Sequence, residues 1–247
     1  MSTLDGTPAE GTRGLYPFLD EYEYEYEYAD RTPDTAETET ETETEARRSA
    51  VEKTGEIVRL RRWLGEESAA ELAACAGEMA ARFASGGRLF SFGNGGSSTD
   101  AQEVATAFLH PHRGPALPAL SLTGDVAVVT ALSNDVGFEV VFSRQLAALG
   151  RPGDIAVGLS TSGGSANVVR AFEEAARRNM LTVGLAGGGG GRLTELSELG
   201  VLAHLFVVPS SSVHRIQEAQ TTLYHVLWEL TRHALGPAPI PRAHDPG

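Results

Sequence analysis

The chain has few of the residues on which several kinds of chemistry depend. Its 247 residues include one cysteine, Cys75, and one lysine, Lys53. A single cysteine excludes an intrachain disulfide, and Lys53 lies in no context that would suit a P-loop or a Schiff base. No apolar run approaches the roughly 20 residues of a membrane span, and the start lacks a secretory-signal pattern. The sequence therefore predicts a soluble, cytoplasmic protein.

Positive charge is also scarce. Acidic residues outnumber basic ones by 33 to 20, for a net charge of −13. The first fifty residues hold fourteen acids and four bases, so they account for −10 of that total. The remainder is nearly neutral and offers no basic surface for nucleic acid. We expect neither nucleic acid nor a membrane as a partner.

The N-terminal segment contains the dipeptide repeats EYEYEYEY and ETETETETE. Their like charges repel, and their polar positions bury too little surface to offset the entropy of ordering. We predict that residues 1–48 and the tail 237–247 are disordered. A strand with an aromatic face is the alternative for the Tyr-Glu repeat, since strict alternation is also typical of a strand.

Residues 49–236 alternate short apolar runs with segments of helical periodicity. Two helices come first, a long amphipathic helix comes last, and five apolar strands lie between them, each separated from the next by helical segments. Strands with near-continuous apolar runs are typical of a parallel sheet that is covered on both faces. The sequence predicts an α/β fold, a doubly wound domain with a five-stranded parallel sheet.

Two strand-to-helix turns are rich in glycine and hydroxyl groups: GNGGSSTD after the first strand and STSGGSAN after the third. Glycines allow close approach of a ligand, and the amides at a helix start favour an anion. The first turn lacks the G-x-G-x-x-G spacing of a dinucleotide site. The pair therefore favours a sugar phosphate, with ordinary helix capping as the alternative for either turn.

Together, GNGGSSTDAQ, LSNDVGFEVVFSRQL, GDIAVGLSTSGGSANVV and RIQEAQTTLYHVLWEL resemble the sugar isomerase (SIS) domain family, in its phosphoheptose isomerase branch. The resemblance covers roughly residues 50–236. It implies a homotetramer that interconverts sedoheptulose 7-phosphate and a heptose 7-phosphate, with active sites at subunit interfaces.

The resemblance also implies a set of binding residues. It places the phosphate on the second turn and the sugar on the first turn, on an Asn-Asp pair and on the last helix. The residues concerned are Asn94, Gly95, Gly96, Ser97, Asn134, Asp135, Ser160, Thr161, Ser162, Ser165 and Gln217.

The catalytic positions depart from the family pattern. Family isomerases carry a His and, four residues on, a Glu after the first turn, and a Gln and a His on the last helix; several bind zinc through these four. Here the last-helix pair is present as Gln217 and His225, but the other two positions are Glu103 and Ala107. An enediol mechanism needs a base beside both reacting carbons, which Ala107 cannot supply.

Glu103 is the nearest substitute, because positions 103 and 107 are one helical turn apart on the same face. We predict Glu103 as the base and His225 as the acid, the alternative being that Glu103 is a solvated helix residue and His225 a core histidine without a catalytic role. A zinc site with Glu103, Gln217 and His225 as its ligands is an alternative, and we expect such a site to bind zinc weakly.

A non-catalytic binding protein, similar to the SIS paralogue that binds the bacterial replication initiator, is the alternative function. The run Gly187–Gly191 is predicted to be a slack surface connection.

Overall fold

The computed structural model describes residues 40–111 and 114–236. In that part the chain alternates strands and helices as predicted, and the α/β fold class is confirmed. The helices are α1 (Glu41–Glu67), α2 (Ala69–Ala84), α3 (Gly96–Leu109), α4 (Val126–Asp135), α5 (Val141–Leu149), α6 (Ala166–Arg177), α7 (Gly191–Glu198) and α8 (Val213–Leu235). The strands are β1 (Leu89–Gly93), β2 (Ala119–Ser121), β3 (Ile155–Ser160), β4 (Leu181–Gly187) and β5 (His204–Val208).

The five strands form one parallel sheet in the order β2-β1-β3-β4-β5. From β1 the chain first moves outwards to β2 and then returns to β3 on the other side of β1. In the central register Leu89 lies beside Ile155 and Gly93 beside Leu159. The carboxyl ends of β1 and β3 are therefore neighbours at the point where the strand order reverses, which is where ligands bind in open α/β sheets.

Hydrophobic side chains from alternate strand positions build a core on each face of the sheet. On one face Leu89, Val157 and Val183 pack with buried residues of α2, α3 and α8. On the other, Phe90 and Phe92 pack with residues of α5, α6 and α7. Burial on both faces explains the near-continuous apolar character of β1, β3 and β4, whose residues are all buried.

The first helix begins earlier than predicted. The sequence places disorder up to residue 48, whereas α1 starts at Glu41. A capping box explains this start: the amide of Thr40 donates to Glu43 Oε2 at 2.8 Å, and the amide of Glu43 donates to Thr40 Oγ1 at 3.2 Å. The predictions for residues 1–39 and for the tail 237–247 fall outside the described residues.

Candidate functional site

The first glycine turn joins β1 to α3 at the reversal point of the sheet. Gly95 has a φ of +56° and lies at the N-cap of α3, whose first residue is Gly96. Ser97 is buried, and its backbone packs so closely on Gly93 that a Cβ atom at Gly93 would lie 2.6 Å from the Ser97 carbonyl oxygen. Asn94 and Gly95, between Gly93 and the start of α3, line a cavity.

The second turn joins β3 to α6 and carries a group of linked hydroxyls. The Oγ of Ser160 lies 3.0 Å from that of Ser165 and 3.5 Å from that of Ser162, which accepts a hydrogen bond from the amide of Gly164 at 3.2 Å. Thr161 lies between Ser160 and Ser162 in the sequence and is partly exposed. Hydroxyls and amides that converge before a helix start are suited to an anion.

Gly190 and Gly191, at the end of the five-glycine run, pack against this second turn, so the prediction of a slack surface connection is wrong for this end of the run. Gly163 has a φ of +64°, and a Cβ atom there would overlap the carbonyl oxygen of Gly190. The amide of Leu193 donates to the carbonyl of Gly163 at 3.1 Å. Glycine is needed on both sides because two backbone segments touch without room for side chains.

A reciprocal amide pair connects the two turns. Asn94 Nδ2 donates to Asn167 Oδ1, and Asn167 Nδ2 donates to Asn94 Oδ1, both at 2.8 Å. Asn167 is buried in the first turn of α6. Asn167 was not predicted from the sequence, because nothing local marks a side chain whose partner is 73 positions away. The pair makes the two turns one structural unit.

A small cavity opens directly beside the first turn. Its volume is about 160 Å³. Its lining combines the turn and the start of α3 with side chains from the segment between β2 and the start of α5: Gly93, Asn94, Gly95, Ser98, Thr123, Val129, Phe138 and Phe142. Larger grooves of about 740 and 510 Å³ lie elsewhere, one between β2 and α4–α5 and one before α8, but neither includes a residue of the two turns.

The Asn-Asp pair is not part of this cavity wall. Asn134 and Asp135 end α4, are exposed, and contact each other through a 2.7 Å hydrogen bond from Asn134 Nδ2 to Asp135 Oδ1. They lie between Val129 and Phe138, which do line the cavity. Their assignment to the sugar remains a prediction.

The predicted acid–base residues meet between α3 and α8. His225 Nε2 lies 3.8 Å from Glu103 Oε1, and both side chains are about half exposed, at 45% and 56%. This separation suits an ion pair but is too long for a direct hydrogen bond. The ring of Tyr224 packs edge-on against that of His225, with centroids 4.9 Å apart. The helices thus bring together a carboxylate and an imidazole from residues 122 positions apart in sequence.

Asp100 is a further acidic residue at this contact, and sequence analysis missed it. Burial and the nearby Glu103 raise the pKa of Asp100 to about 6, although the Gln217 side chain within hydrogen-bonding reach acts to lower it. Oδ2 of Asp100 is buried and has no hydrogen-bond partner in the described structure. Its spacing from Glu103, three residues along one helix, is the signal that could have found it.

These donors do not fit the zinc site that the resemblance implies. Among the residues that the structure describes, no three His, Cys, Asp or Glu side chains are grouped so that they could hold a metal ion. Gln217 packs against Gly96, and Ala107 removes one carboxylate ligand. Glu103 and His225 alone are too few for a tetrahedral site with protein ligands.

Residues 54–187 match the family model of the SIS domain. The phosphoheptose isomerase of Desulfovibrio desulfuricans is 47% identical over 180 residues, which cover 72% of this chain and 83% of that protein. The phosphoheptose isomerase of Roseiflexus is 40% identical over 190 residues, or 76% of this chain and 94% of that protein.

Solved structures of phosphoheptose isomerases superpose on this chain. The phosphoheptose isomerase of Francisella tularensis superposes with a TM-score of 0.72 at 31% identity, covering 76% of this chain and 98% of that one. That of Neisseria gonorrhoeae has a TM-score of 0.68 at 34% identity, with 75% and 98% covered. Within the described ranges, no helix has both the length and the apolar character to cross a membrane.

Proposed function

Because this chain belongs to the SIS domain family and is an aldose–ketose isomerase by its phosphoheptose isomerase relatives, we propose that it converts sedoheptulose 7-phosphate, or a related long-chain sugar phosphate, to the aldose. The observation that carries the substrate class is the Asn94–Asn167 pair, which holds the two hydroxyl-rich turns together at the reversal point of the sheet. A site of this kind binds a phosphate and hydroxyls at once.

The phosphate is assigned to the second turn. The linked hydroxyls of Ser160, Ser162 and Ser165, with Thr161 between them, supply neutral donors at the start of α6. Helix α6 adds the favourable field of its N-terminus. The first turn, from Asn94 to Ser97, faces the sugar, and the resemblance adds Asn134 and Asp135 to that end.

Proton transfer is assigned to Glu103 and His225. Glu103 takes a proton from C1 of the ketose while protonated His225 gives one to the C2 oxygen, which yields the enediol. Glu103 then returns its proton to C2, and neutral His225 removes the proton from the C1 oxygen. The aldose forms and both residues recover their starting states. Glu103 lies about 10 Å along α3 from Gly96, from a rise of about 1.5 Å per residue, so the reacting carbons are assigned to a place about two helical turns from the first turn.

The proposal includes a homotetramer in the cytoplasm with active sites completed by a neighbouring subunit. The cavity beside the first turn is small, and Phe138 on its wall is half exposed, which suits further coverage by another chain. A second apolar groove of about 360 Å³ lies between α1, α2 and α8. Apolar exposure of this kind is typical of subunit contacts.

Isotope exchange tests the proposal. Sedoheptulose 7-phosphate is incubated with the protein in deuterated water, and deuterium is followed by NMR at C1 of the ketose and C2 of the aldose. We expect incorporation at both carbons, far above a heat-inactivated control. Binding of the sugar phosphate without exchange would instead favour a non-catalytic binding protein. That function would agree with Ala107, which stands where the resemblance implies a catalytic Glu.

A further inference from the structure

Asp100 has an unusual environment for a helix carboxylate. Its Oδ2 atom is buried without a hydrogen-bond partner in the described structure, and Glu103 lies close on the same helix. A buried polar atom without a partner lowers stability, so such groups call for an explanation. The acid–base scheme for Glu103 and His225 gives Asp100 no role.

Its neighbour across the helix contact is Gln217. The amide group of Gln217 packs on the first turn of α3 so closely that a Cβ atom at Gly96 would overlap Nε2, while Oε1 would lie 3.1 Å away. The amide nitrogen therefore faces α3 more closely than the oxygen does. Asp100 follows Gly96 by four residues, which places the carboxylate on the same face of α3 as the Gln217 contact, and the Gln217 side chain acts to lower the pKa of Asp100.

We propose that Asp100 is a positioning residue that holds the side-chain amide of Gln217 by accepting a hydrogen bond from Nε2, so that Oε1 is turned to accept from a hydroxyl of the sugar. An amide can present either its donor or its acceptor end, and a carboxylate partner fixes the choice because it only accepts. With Oε1 of Gln217 turned towards the sugar, the site selects for a substrate that has a free hydroxyl next to this atom. This role rests on the proposed function of the same site.

A double-mutant cycle on ligand affinity tests the coupling. Calorimetry gives Kd for sedoheptulose 7-phosphate in a Glu103→Gln parent, which suppresses turnover, and in the same parent with Asp100→Ala, Gln217→Ala or both. We expect each single change to raise Kd about tenfold, as for loss of one charge-assisted hydrogen bond. The double variant should bind no more weakly than Gln217→Ala alone, because Asp100 acts through Gln217.

Two further variants separate positioning from a general structural effect. Asp100→Asn keeps an acceptor oxygen without its charge, but its amide can also donate, so Kd should rise by less than the roughly tenfold expected for Asp100→Ala. Glu173→Gln removes one exposed charge from α6 and should leave Kd unchanged. Thermal unfolding by circular dichroism confirms that all variants are folded.

The outcomes distinguish this inference from the proposed function. Multiplicative effects of the two single changes, or an unchanged Kd in Asp100→Ala, overturn the positioning role while isomerisation by the wild type stands. Binding without isomerisation overturns the proposed activity but leaves the cycle valid. Absence of binding in the parent and the wild type overturns both.

Discussion

At the proposed phosphate end of the site, the hydroxyl of Ser160 contacts those of Ser162 and Ser165 within a single turn, whereas at the proposed proton-transfer end Glu103 and His225 approach only to 3.8 Å across two helices. The first arrangement is fixed by a short stretch of backbone and by a glycine contact with a neighbouring loop. The second depends on half-exposed side chains. The proposed phosphate end carries the serine-rich turn that the resemblance implies, and the chain departs from the family pattern at the proposed proton-transfer end, where residue 107 is alanine.

The largest expected effect is at the proton-transfer end. Glu103→Gln and His225→Ala should each lower kcat by about two to four orders of magnitude, the usual contribution of a positioned acid or base. KM should change much less, because neither residue contacts the phosphate turn. Deuterium exchange into the ketose measures the rate, with Glu173→Gln as the control. Wild-type rates in both variants would show that the proton is moved by other groups.

At the phosphate end, Ser160→Ala should raise KM about 10- to 100-fold and change kcat by less than about threefold. Ser160 is buried and its hydroxyl contacts those of both Ser162 and Ser165. Loss of hydrogen bonds to a charged group weakens substrate and transition state alike, so the effect falls on KM. Ser143→Ala on α5 is the matched control, since its hydroxyl bonds only locally to the carbonyl of Val140. A change confined to kcat would contradict the separation of the two ends.

The substitution at position 107 can be reversed in a variant that lacks Glu103. Ala107→Glu in the Glu103→Gln background should recover at least about tenfold in kcat, because positions 103 and 107 share a helix face and differ by one turn. Ala107→Gln in the same background is the control for size. Equal rates in these two double variants would indicate that a carboxylate at position 107 does not reach the reacting carbons in this protein.

The same contrast explains what the sequence could reveal. The order of strands and helices and the two turns were predictable, because apolar runs, glycines and hydroxyls mark them locally. Asn167 was missed because its partner Asn94 lies 73 positions away, and Asp100 was missed because its spacing of three residues from Glu103 is its only local signal. The start of α1 was also missed, because the Glu-Thr repeat that suggests disorder contains the capping box of Thr40 and Glu43.

A smaller effect on binding is expected where the two ends of the site meet. Gly96→Ala should raise KM about three- to tenfold, because the new methyl group would displace the Gln217 amide from α3. The thermal midpoint should stay the same or rise slightly, since alanine favours a helix by up to about 1 kcal/mol over glycine and the displaced group is the end of a flexible side chain. Steady-state kinetics and circular dichroism measure the two quantities. A marked fall in the midpoint would mean that Gly96 is needed for folding rather than for Gln217.

The smallest expected effect is on stability and depends on pH. Burial and Glu103 raise the pKa of Asp100 from 3.8 to about 6, so the folded state binds this proton more tightly than the unfolded state does. The favourable contribution of the protonated carboxyl is complete below pH 3.8 and is lost as the pH rises through 6. Because the carboxyl is only partly buried, we expect a net cost on the order of 1 kcal/mol at pH 8.

Asp100→Asn removes the titrating group, so its thermal midpoint should exceed that of the wild type by about 2–4 °C at pH 8 and by much less at pH 4. A difference that stays constant between these pH values would mean that ionised Asp100 is well accommodated. In that case the proposed proton-transfer end would carry no stability cost from Asp100, and it would not differ in this respect from the hydrogen-bonded serines of the proposed phosphate end.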